Sequence, residues 1–245
     1  MKLTLQDTKY LKEPILIISE LVSEATLHVD KDKIELVAMD PANIAMVIFK
    51  LLSSAFVEYE VKEKVDLTVN LDNFKQILRR ANPNDSMTLE LSGNKLKIQL
   101  KSSSTRTFSL SLINAEESNK KIPNLSFPTK IETTTSLFNE AIEDSETVSD
   151  SVSFIVDEDI FSLEASGNLT SSKVDLEKGE STKIESEGKV EARYSTEYLK
   201  KMIKVSKLTD NVSIQFNQDY PLKLSYKILD KMLMEFILAP RVSTD

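Results

Sequence analysis

The segment LDNFKQILRRA at residues 71–81 and the segment STEYLKKMIKVSK at residues 195–207 share one pattern, and that repeat decides the fold. Apolar residues recur every three or four positions in both, which is typical of an amphipathic helix with one buried stripe. Four pairs of residues match at a constant offset of 125: Phe74 with Leu199, Ile77 with Met202, Leu78 with Ile203, and Asp85 with Asp210. The match indicates that the chain contains an internal duplication.

A second pair of segments supports the duplication. Residues 26–32 and 153–159 each alternate like a short strand before an acidic turn, at an offset of 127. Each is followed by a second hairpin arm, at residues 34–37 and 161–165. Two segments that agree within two residues of offset make a chance match improbable.

Each half has the same coarse order of a helix, several short strands, a second helix and three more strands, which predicts an α+β fold of two similar sheet-and-helix domains. Polar, unpatterned residues separate the halves and end at a proline. The predicted domains are residues 1–113 and 126–245, with a connector at 114–125. The helices are predicted at 10–23, 71–81, 136–145 and 195–207, and the clearest strands at 65–69, 87–91, 96–100, 106–112, 212–216, 222–226 and 233–238.

Two local features refine this prediction. Pro14 is tolerated best in the first turn of a helix, so the first helix is expected to start near Glu13. The polar stretch at residues 177–189 contains two of the four glycines and is expected to form a mobile loop.

Composition excludes several classes of protein. The 245 residues include no cysteine, which rules out disulfides, thiolate nucleophiles and Cys-ligated zinc. Four glycines leave neither a P-loop nor a GxGxxG motif, and the only histidine, His28, has no metal-binding spacing. We therefore expect no enzyme activity, no cofactor and no metal, and the lack of a signal peptide or membrane segment predicts an intracellular protein without membrane contact.

The acidic turns leave one catalytic alternative open. Asp30 with Asp32, and the Asp-Glu-Asp run at 157–159, could in principle hold a hard cation in a hydrolase, although solvated hairpin turns are the simpler interpretation. Divalent metal binding with turnover of a substrate would support the hydrolase.

The basic faces of the two matched helices are the strongest functional signal. Lys75 and Arg79 correspond to Lys200 and Lys204 in the repeat, and no acid interrupts the arc from Lys200 to Lys207. A solvated helix face would explain either segment alone, but repetition favours a shared function. The net charge of −8 opposes tight non-specific binding of phosphate, so contact with nucleic acid must be local or topological.

Six short motifs in a fixed order resemble the sliding clamps of archaeal and eukaryotic DNA replication, the proliferating cell nuclear antigen (PCNA) family. They are SEA at 23–25, LVAMD at 36–40, KQILRRA at 75–81, ASG at 165–167, YPL at 220–222 and LAPR at 238–241. The resemblance covers essentially the whole chain. It implies the DNA clamp fold, in which three chains form a ring around duplex DNA with helices lining the hole and sheets outside.

The resemblance implies three sets of site residues. The DNA-facing set is Lys12, Arg79, Lys200, Lys201 and Lys204, with Lys75, Arg80 and Lys207 as further candidates. Subunits would pair through the edge strands at 106–112 and 171–178, using Phe108, Leu110, Leu112, Val174 and Leu176. An outer pocket for partner peptides would be lined by Met39, Ile44, Met46, Ile122, Pro221, Ile237, Ala239 and Pro240.

Partners and assembly follow from the same resemblance. DNA polymerase, a clamp loader, a ligase and a flap nuclease would dock through short motifs, and the ring would contain identical or paralogous chains. A specialised or checkpoint-type subunit of a heteromeric ring is the alternative, because the third helix carries Glu140, Glu143 and Asp144 where relatives are often basic. An asymmetric channel is therefore expected. An archaeal origin, with the protein in the cytoplasm, is favoured over a eukaryotic nucleus.

Overall fold

A computed structural model describes residues 1–114 and 121–242, so residues 115–120 of the predicted connector lie outside the described residues. The chain divides into two compact units. Unit 1 comprises Met1–Pro41, Val47–Ile122 and Ile228–Met234. Unit 2 comprises Ala42–Met46, Pro123–Lys227 and Glu235–Asp245.

The described residues form four α-helices and eighteen strands. The helices are α1 (Lys9–Ile18), α2 (Leu71–Leu78), α3 (Thr135–Val148) and α4 (Thr196–Met202), with short 3₁₀ turns at Ser53–Ala55 and Ile203–Lys207. The strands of the first half are β1 (Lys2–Leu5), β2 (Glu24–Val29), β3 (Lys33–Met39), β4 (Ala45–Leu52), β5 (Glu58–Glu60), β6 (Val65–Asn70), β7 (Ser86–Ser92), β8 (Lys95–Lys101) and β9 (Thr105–Ser111). Those of the second half are β10 (Thr129–Thr134), β11 (Ser151–Asp157), β12 (Ile160–Ser166), β13 (Ser171–Glu177), β14 (Thr182–Glu185), β15 (Val190–Ser195), β16 (Asn211–Phe216), β17 (Leu222–Ile228) and β18 (Met232–Leu238).

The two halves of the chain repeat one order of elements. Each contains a strand, a helix, five strands, a second helix and three strands, from β1 to β9 and again from β10 to β18. The duplication seen in the sequence is therefore present in the structure. The leading strands β1 and β10 were not predicted, because four to six residues of alternation give too weak a signal beside a helix.

Unit 1 is built from antiparallel strands in two sets. One sheet has the order β5-β1-β7-β8-β9, and the other set runs β6-β2-β3-β4. Strand β8 shows the required alternation, since Leu96, Ile98 and Leu100 are fully buried while the intervening residues are not. Hydrophobic burial on one face of each sheet fixes the register, because a slip of one residue would turn this face outward.

Helix α1 corrects the prediction that Pro14 must lie in a first turn beginning near Glu13. The helix starts at Lys9, so Pro14 lies inside it, and it ends at Ile18 rather than near residue 23. The N–H groups of Leu11 and Lys12 both donate to Thr8 O at the start. Burial of the ring of Pro14 with Ile15 on the core side offsets the backbone hydrogen bond that proline cannot make.

Helix α2 starts and packs largely as predicted. Asn70 caps it by accepting a hydrogen bond of 3.0 Å from the Asn73 N–H, and Leu71, Phe74 and Leu78 form the buried stripe. Ile77, expected in that stripe, is only half-buried. The regular helix ends at Leu78, three residues early, although turn hydrogen bonds continue to Ala81.

Unit 2 has an aromatic core. Its strands are ordered β13-β12-β11-β15 and β14-β10-β16-β17-β18. The ring of Phe154 lies edge-on to Phe161, Tyr194 and Phe216, with centroid distances of 5.4, 5.1 and 5.9 Å. These contacts join β11, β12, β15 and β16, so the rings add directional packing to the burial of apolar area.

Two further predictions in unit 2 are wrong. Residues 177–189 are not a continuous loop, because β14 pairs with β10 and buries Thr182 and Ile184. A strand of four residues, flanked by glycines and charged residues, has too short an alternating pattern to be recognised from the sequence. The helix predicted at 195–207 is α4 followed by a 3₁₀ turn, in which Ile203 and Val205 stay buried.

Candidate nucleic-acid, subunit and docking surfaces

The basic face of α2 contains both paired and unpaired cations. The Lys75 ammonium lies 2.8 Å from Asp72 Oδ1, one turn earlier. The guanidinium groups of Arg79 and Arg80 are exposed and meet no carboxylate among residues 1–114 and 121–242. Unit 1 therefore presents two arginines whose full charge faces solvent.

Lys12 lies near the end of that helix, and its side chain already makes a hydrogen bond within the protein. Its Nζ donates a 2.9 Å hydrogen bond to Ala81 O, where the last turn of α2 leaves a carbonyl without a helical partner. A lysine has three N–H donors, so two remain available to another acceptor. The contact ties α1 to α2, a structural role that was not predicted for this residue.

The lysines of α4 are balanced by acids, which corrects the prediction of an uninterrupted basic arc. Lys200 Nζ lies 2.6 and 2.7 Å from the two carboxylate oxygens of Glu146 on α3. Lys201 Nζ lies 2.8 Å from Glu197 Oε1, four residues earlier on the same helix. Its hydrogen bond lowers the pKa of the Glu197 carboxyl. The spacing of Glu197 was readable from the sequence, whereas Glu146 is brought close only by the fold.

The remaining basic candidates lie on the 3₁₀ turn at Ile203–Lys207. Lys204 is half-buried and Lys207 is exposed. The acids predicted on the third helix, Glu140, Glu143 and Asp144, are all exposed on α3. The helical surface of unit 2 is therefore mixed in charge, while that of unit 1 carries uncompensated arginines.

Strand β9 lies at the end of its sheet and borders a groove lined by both apolar and polar residues. It pairs on one side with β8, where Ile98 faces Phe108 and Leu96 faces Leu110. A groove of about 550 Å³ opens between β9 and α2, with Phe108, Leu110 and Ile77 on its walls and Arg80 at its side. Leu112, expected in this strand, follows its end but still donates from its N–H to Asn94 O at 3.0 Å.

Strand β13 lies at the end of a sheet in unit 2. It pairs on one side with β12, where Val174 faces Leu163 and Leu176 faces Phe161. Leu176 is buried and Val174 is half-buried, so the strand has a partly open apolar face. Helix α3 packs against this strand.

A buried ion pair at the start of β9 was missed by sequence reasoning. Asp85 is fully buried, contacts the guanidinium of Arg106, and accepts a hydrogen bond of 2.7 Å from the Asn82 N–H. That backbone hydrogen bond and the Arg106 charge lower the pKa of the carboxyl, against the opposing effect of burial. Arg106 also donates to Arg80 O at 2.9 Å. The pair thus fixes the edge strand to the end of α2.

The predicted docking residues fall in both units. In unit 2, the Ala239 N–H donates to Ile44 O at 2.9 Å, and Ile44 is exposed. Met46 is buried within β4, so it supports the surface rather than forming it. Pro221, Ile237, Ala239 and Pro240 are half-buried in unit 2, while Met39 is half-buried and Ile122 is exposed in unit 1.

The segment after β18 is anchored beside these residues. The Arg241 N–H donates to Arg193 O at 2.7 Å, and the Arg241 guanidinium lies 2.8 Å from Asp150 Oδ2. The hydrogen bond from Arg241 lowers the pKa of the Asp150 carboxyl. These contacts hold Ala239 and Pro240 in a defined position within unit 2.

The acidic turns are engaged in internal contacts. Asp30 accepts from the N–H groups of Asp32 and Lys33 at 2.8 and 3.0 Å, and Asp159 lies 2.8 Å from the Lys178 ammonium. Among residues 1–114 and 121–242, no three His, Asp or Glu side chains are grouped as a metal site. No helix in the same residues has the length and apolarity needed to cross a membrane.

The repeated order of elements, the basic helix faces and the end strands β9 and β13 define the class of duplicated α+β proteins with the DNA clamp fold. Residues 1–120 match the family model for the proliferating cell nuclear antigen N-terminal domain, and residues 121–241 match the model for its C-terminal domain. The chain belongs to the proliferating cell nuclear antigen family.

Relatives and solved structures agree with this membership. The chain is 35% identical to a DNA polymerase sliding clamp of Nanoarchaeum equitans, over 98% of this chain and 99% of the relative. It is also 35% identical to one from Pyrococcus furiosus, over 91% of each chain. The PCNA structure of Thermococcus kodakaraensis superposes with a TM-score of 0.91 at 26% identity, covering 98% of this chain and 99% of that one.

A second solved structure is informative about assembly in a relative. The PCNA2-PCNA3 complex of Sulfolobus tokodaii matches with a TM-score of 0.89 at 28% identity, over 98% of this chain and 99% of that one. The family resemblance and the α+β fold of two similar sheet-and-helix domains, both predicted from the sequence, are confirmed.

Proposed function

We propose that this protein is a DNA sliding clamp, which forms a ring around duplex DNA and keeps a DNA polymerase on its template. The observation that carries the proposal is full-length similarity to DNA polymerase sliding clamps, 35% identical over 98% of this chain. Encirclement explains how a protein of net charge −8 can serve nucleic acid, because retention by shape needs little electrostatic attraction.

The DNA-facing surface is formed by the helices. Arg79 and Arg80, in the turn after α2, supply uncompensated charge. Lys200 and Lys204 supply cations at the positions that the repeat matches to Lys75 and Arg79, and Lys201 lies next to Lys200. Such contacts reach phosphate and do not read bases, which suits a protein that slides over every sequence. Reversing the charge of the three lysines together should reduce the length of DNA that polymerase copies per binding event. Unchanged processivity would contradict their assignment.

Ring closure joins β9 of one chain to β13 of the next. Both strands lie at sheet ends, and an open edge of this kind is an aggregation liability unless it is paired. The groove beside β9 has Phe108, Leu110 and Ile77 among polar residues and Arg80 at its side, while β13 packs against helix α3, which carries the exposed acids Glu140, Glu143 and Asp144. Apolar surface and opposite charge would therefore meet, with Phe108, Leu110 and Leu112 facing Val174 and Leu176.

The composition of the ring has two candidate forms. Three identical chains form the simpler ring. A heteromeric ring with paralogous chains, including a checkpoint-type subunit, is favoured by the PCNA2-PCNA3 complex of a relative and by the acidic third helix of this chain. Light scattering on the isolated protein separates them, since a trimer mass supports the first form and a monomer mass supports the second.

Partner docking is the second part of the proposed function. Polymerase, clamp loader, ligase and flap nuclease would insert short motifs with apolar anchors beside Met39, Ile44 and Ile237. The exposed or half-buried apolar side chains and the anchored segment at 239–241 support this role. A docking peptide should bind the triple alanine variant at those three positions much more weakly than the unmodified protein. Equal affinity would remove the pocket from the proposal.

The protein would act without catalysis of its own, and its acidic turns would be structural, since Asp30 accepts hydrogen bonds from backbone N–H groups while Asp157 and Asp159 pair with Lys189 and Lys178. An ATP-driven loader would then open the ring. The archaeal relatives support placing the protein in the cytoplasm. The direct test is polymerase extension on primed circular DNA. Longer products should require this protein, and products of unchanged length would refute the function.

A further inference from the structure

The ammonium of Lys200 is held by a carboxylate from another helix. Its Nζ contacts both Oε atoms of Glu146, at 2.6 and 2.7 Å, and the two residues lie 54 positions apart on α4 and α3. Just over half of the Lys200 side chain and about a third of that of Glu146 remain exposed, at 53% and 36%. The pair is therefore formed by the fold of unit 2 and is open to solvent.

The basic surface of unit 1 has both kinds of cation. Lys75, which the repeat matches to Lys200, lies 2.8 Å from Asp72 Oδ1 one turn earlier on its own helix. Arg79 and Arg80, in the turn that follows α2, have no carboxylate partner within residues 1–114 and 121–242. Unit 1 thus adds two arginines without a carboxylate partner to its paired lysine, and the counterion of Lys200 in unit 2 comes from a different helix.

We propose that Glu146 is an internal counterion that competes with DNA phosphate for Lys200 and so weakens and regulates the grip of unit 2 on the duplex. The proposal rests on the proposed DNA-facing role of these helices. A phosphate that approaches Lys200 must displace Glu146, and when it leaves, the carboxylate takes its place. Arg79 and Arg80 of unit 1 then attract the duplex continuously, while Lys200 of unit 2 exchanges one anion for another.

The strength of the pair suits exchange rather than permanent blocking. An exposed ion pair shifts an equilibrium by a factor of about two to five, because water and salt screen its charges. DNA phosphate can compete against a preference of that size for Glu146. The preference is still large enough to shorten each contact between Lys200 and phosphate. A surface that holds DNA weakly at this position would favour sliding over binding at one place.

The helix provides a matched control for charge alone. Glu143 lies three residues before Glu146 on α3, is exposed, and has no ion pair among the described residues. Glu146→Gln and Glu143→Gln therefore remove the same charge from the same helix, but only the first releases Lys200.

The test measures binding of a short fluorescent DNA duplex to the full-length protein by anisotropy over a series of salt concentrations. Glu146→Gln should tighten binding about two- to fivefold beyond the effect of Glu143→Gln. It should also steepen the plot of log affinity against log salt by up to about 0.9, the contribution of one added phosphate contact. Equal effects of the two variants, or weaker binding by Glu146→Gln, would overturn the proposal.

A double-mutant cycle shows whether the effect passes through Lys200. In a Lys200→Ala background, Glu146→Gln should change affinity no more than Glu143→Gln does, because there is no lysine to release. An undiminished effect in that background would overturn the proposal. Light scattering should show the same assembly for all variants.

The variant Arg79→Ala distinguishes failure of the counterion proposal from failure of the proposed DNA-facing role of the helices. Weaker duplex binding by Arg79→Ala, together with equal effects of the two glutamate variants, would leave the DNA-facing role in place and reject the counterion. Unchanged binding by Arg79→Ala, Lys200→Ala and Glu146→Gln alike would reject the DNA-facing role, and the counterion with it.

Discussion

Replacing Asp85 with alanine removes the buried carboxylate that holds the start of β9. The side chain of Asp85 is 0% exposed and that of its partner Arg106 is 26% exposed. Removing one member of a buried pair typically costs 3–5 kcal/mol, because the other charge stays buried without a partner. Arg106 can still hydrate part of its guanidinium, so a loss near the lower end, about 3 kcal/mol, is expected in the free energy of unfolding.

Asp210 is the matched control, because the repeat aligns it with Asp85 while the fold leaves it exposed. Asp210→Ala should change stability by no more than about 0.5 kcal/mol. Calorimetry at one protein concentration measures both variants. A loss of about 3 kcal/mol lowers the melting temperature of a chain of this length by about 6–12 °C. Equal shifts for the two variants would refute the reasoning from burial.

The pH dependence of this contribution has a defined sign. The folded protein lowers the pKa of Asp85 from the ordinary value of 3.8, so the stabilisation is fully present above that pH. It is lost as the pH falls through the lower pKa of the folded state. The stability difference between unmodified protein and Asp85→Ala should therefore shrink below about pH 4. A difference that grows on acidification would contradict the charged pair.

Three further variants test other parts of the structure. Gly167→Ala should cost about 1–3 kcal/mol by thermal unfolding, because an added Cβ would lie 2.6 Å from Val148 O, and a change below about 0.5 kcal/mol would contradict that contact. Light scattering should show that Phe108→Asp reduces the assembly to monomers. The control Val57→Asp, at an exposed valine outside the groove, should leave the assembly intact. Loss of assembly in both variants or in neither would contradict the β9 interface. Tyr226→Phe should retain or gain up to about 1 kcal/mol in urea unfolding, since the buried hydroxyl has no partner among the described residues, and a clear loss would show that it is hydrogen-bonded.

The sequence predicted elements best where periodicity and a helix cap agree. The spacing of Leu71, Phe74 and Leu78 predicted the buried face of α2, and the same apolar spacing recurs at the matched positions of the second half. Prediction failed for short strands such as β14, where only two residues point inward. It also failed at Pro14, where core burial outweighs the local preference of proline for a first turn.

For the candidate sites too, residues close in the sequence could be predicted, whereas pairs brought together by tertiary packing could not. The basic residues of α2 and α4 were predicted from helical spacing, and the Glu197–Lys201 pair could have been, since the two residues lie one turn apart. The Glu146–Lys200 and Asp85–Arg106 pairs join residues 54 and 21 positions apart, so only tertiary packing brings them together. The repeat could not show that Asp85 is buried while Asp210 is exposed.

Release from cut DNA tests encirclement most directly. Labelled protein is loaded onto closed circular duplex, and the circle is then cut once with a restriction enzyme. A ring retained by shape should stay on the intact circle and run off the free ends after cutting, and bulky blocks at both ends should keep it on. Equal retention on the circle and on linear DNA with open ends would contradict encirclement.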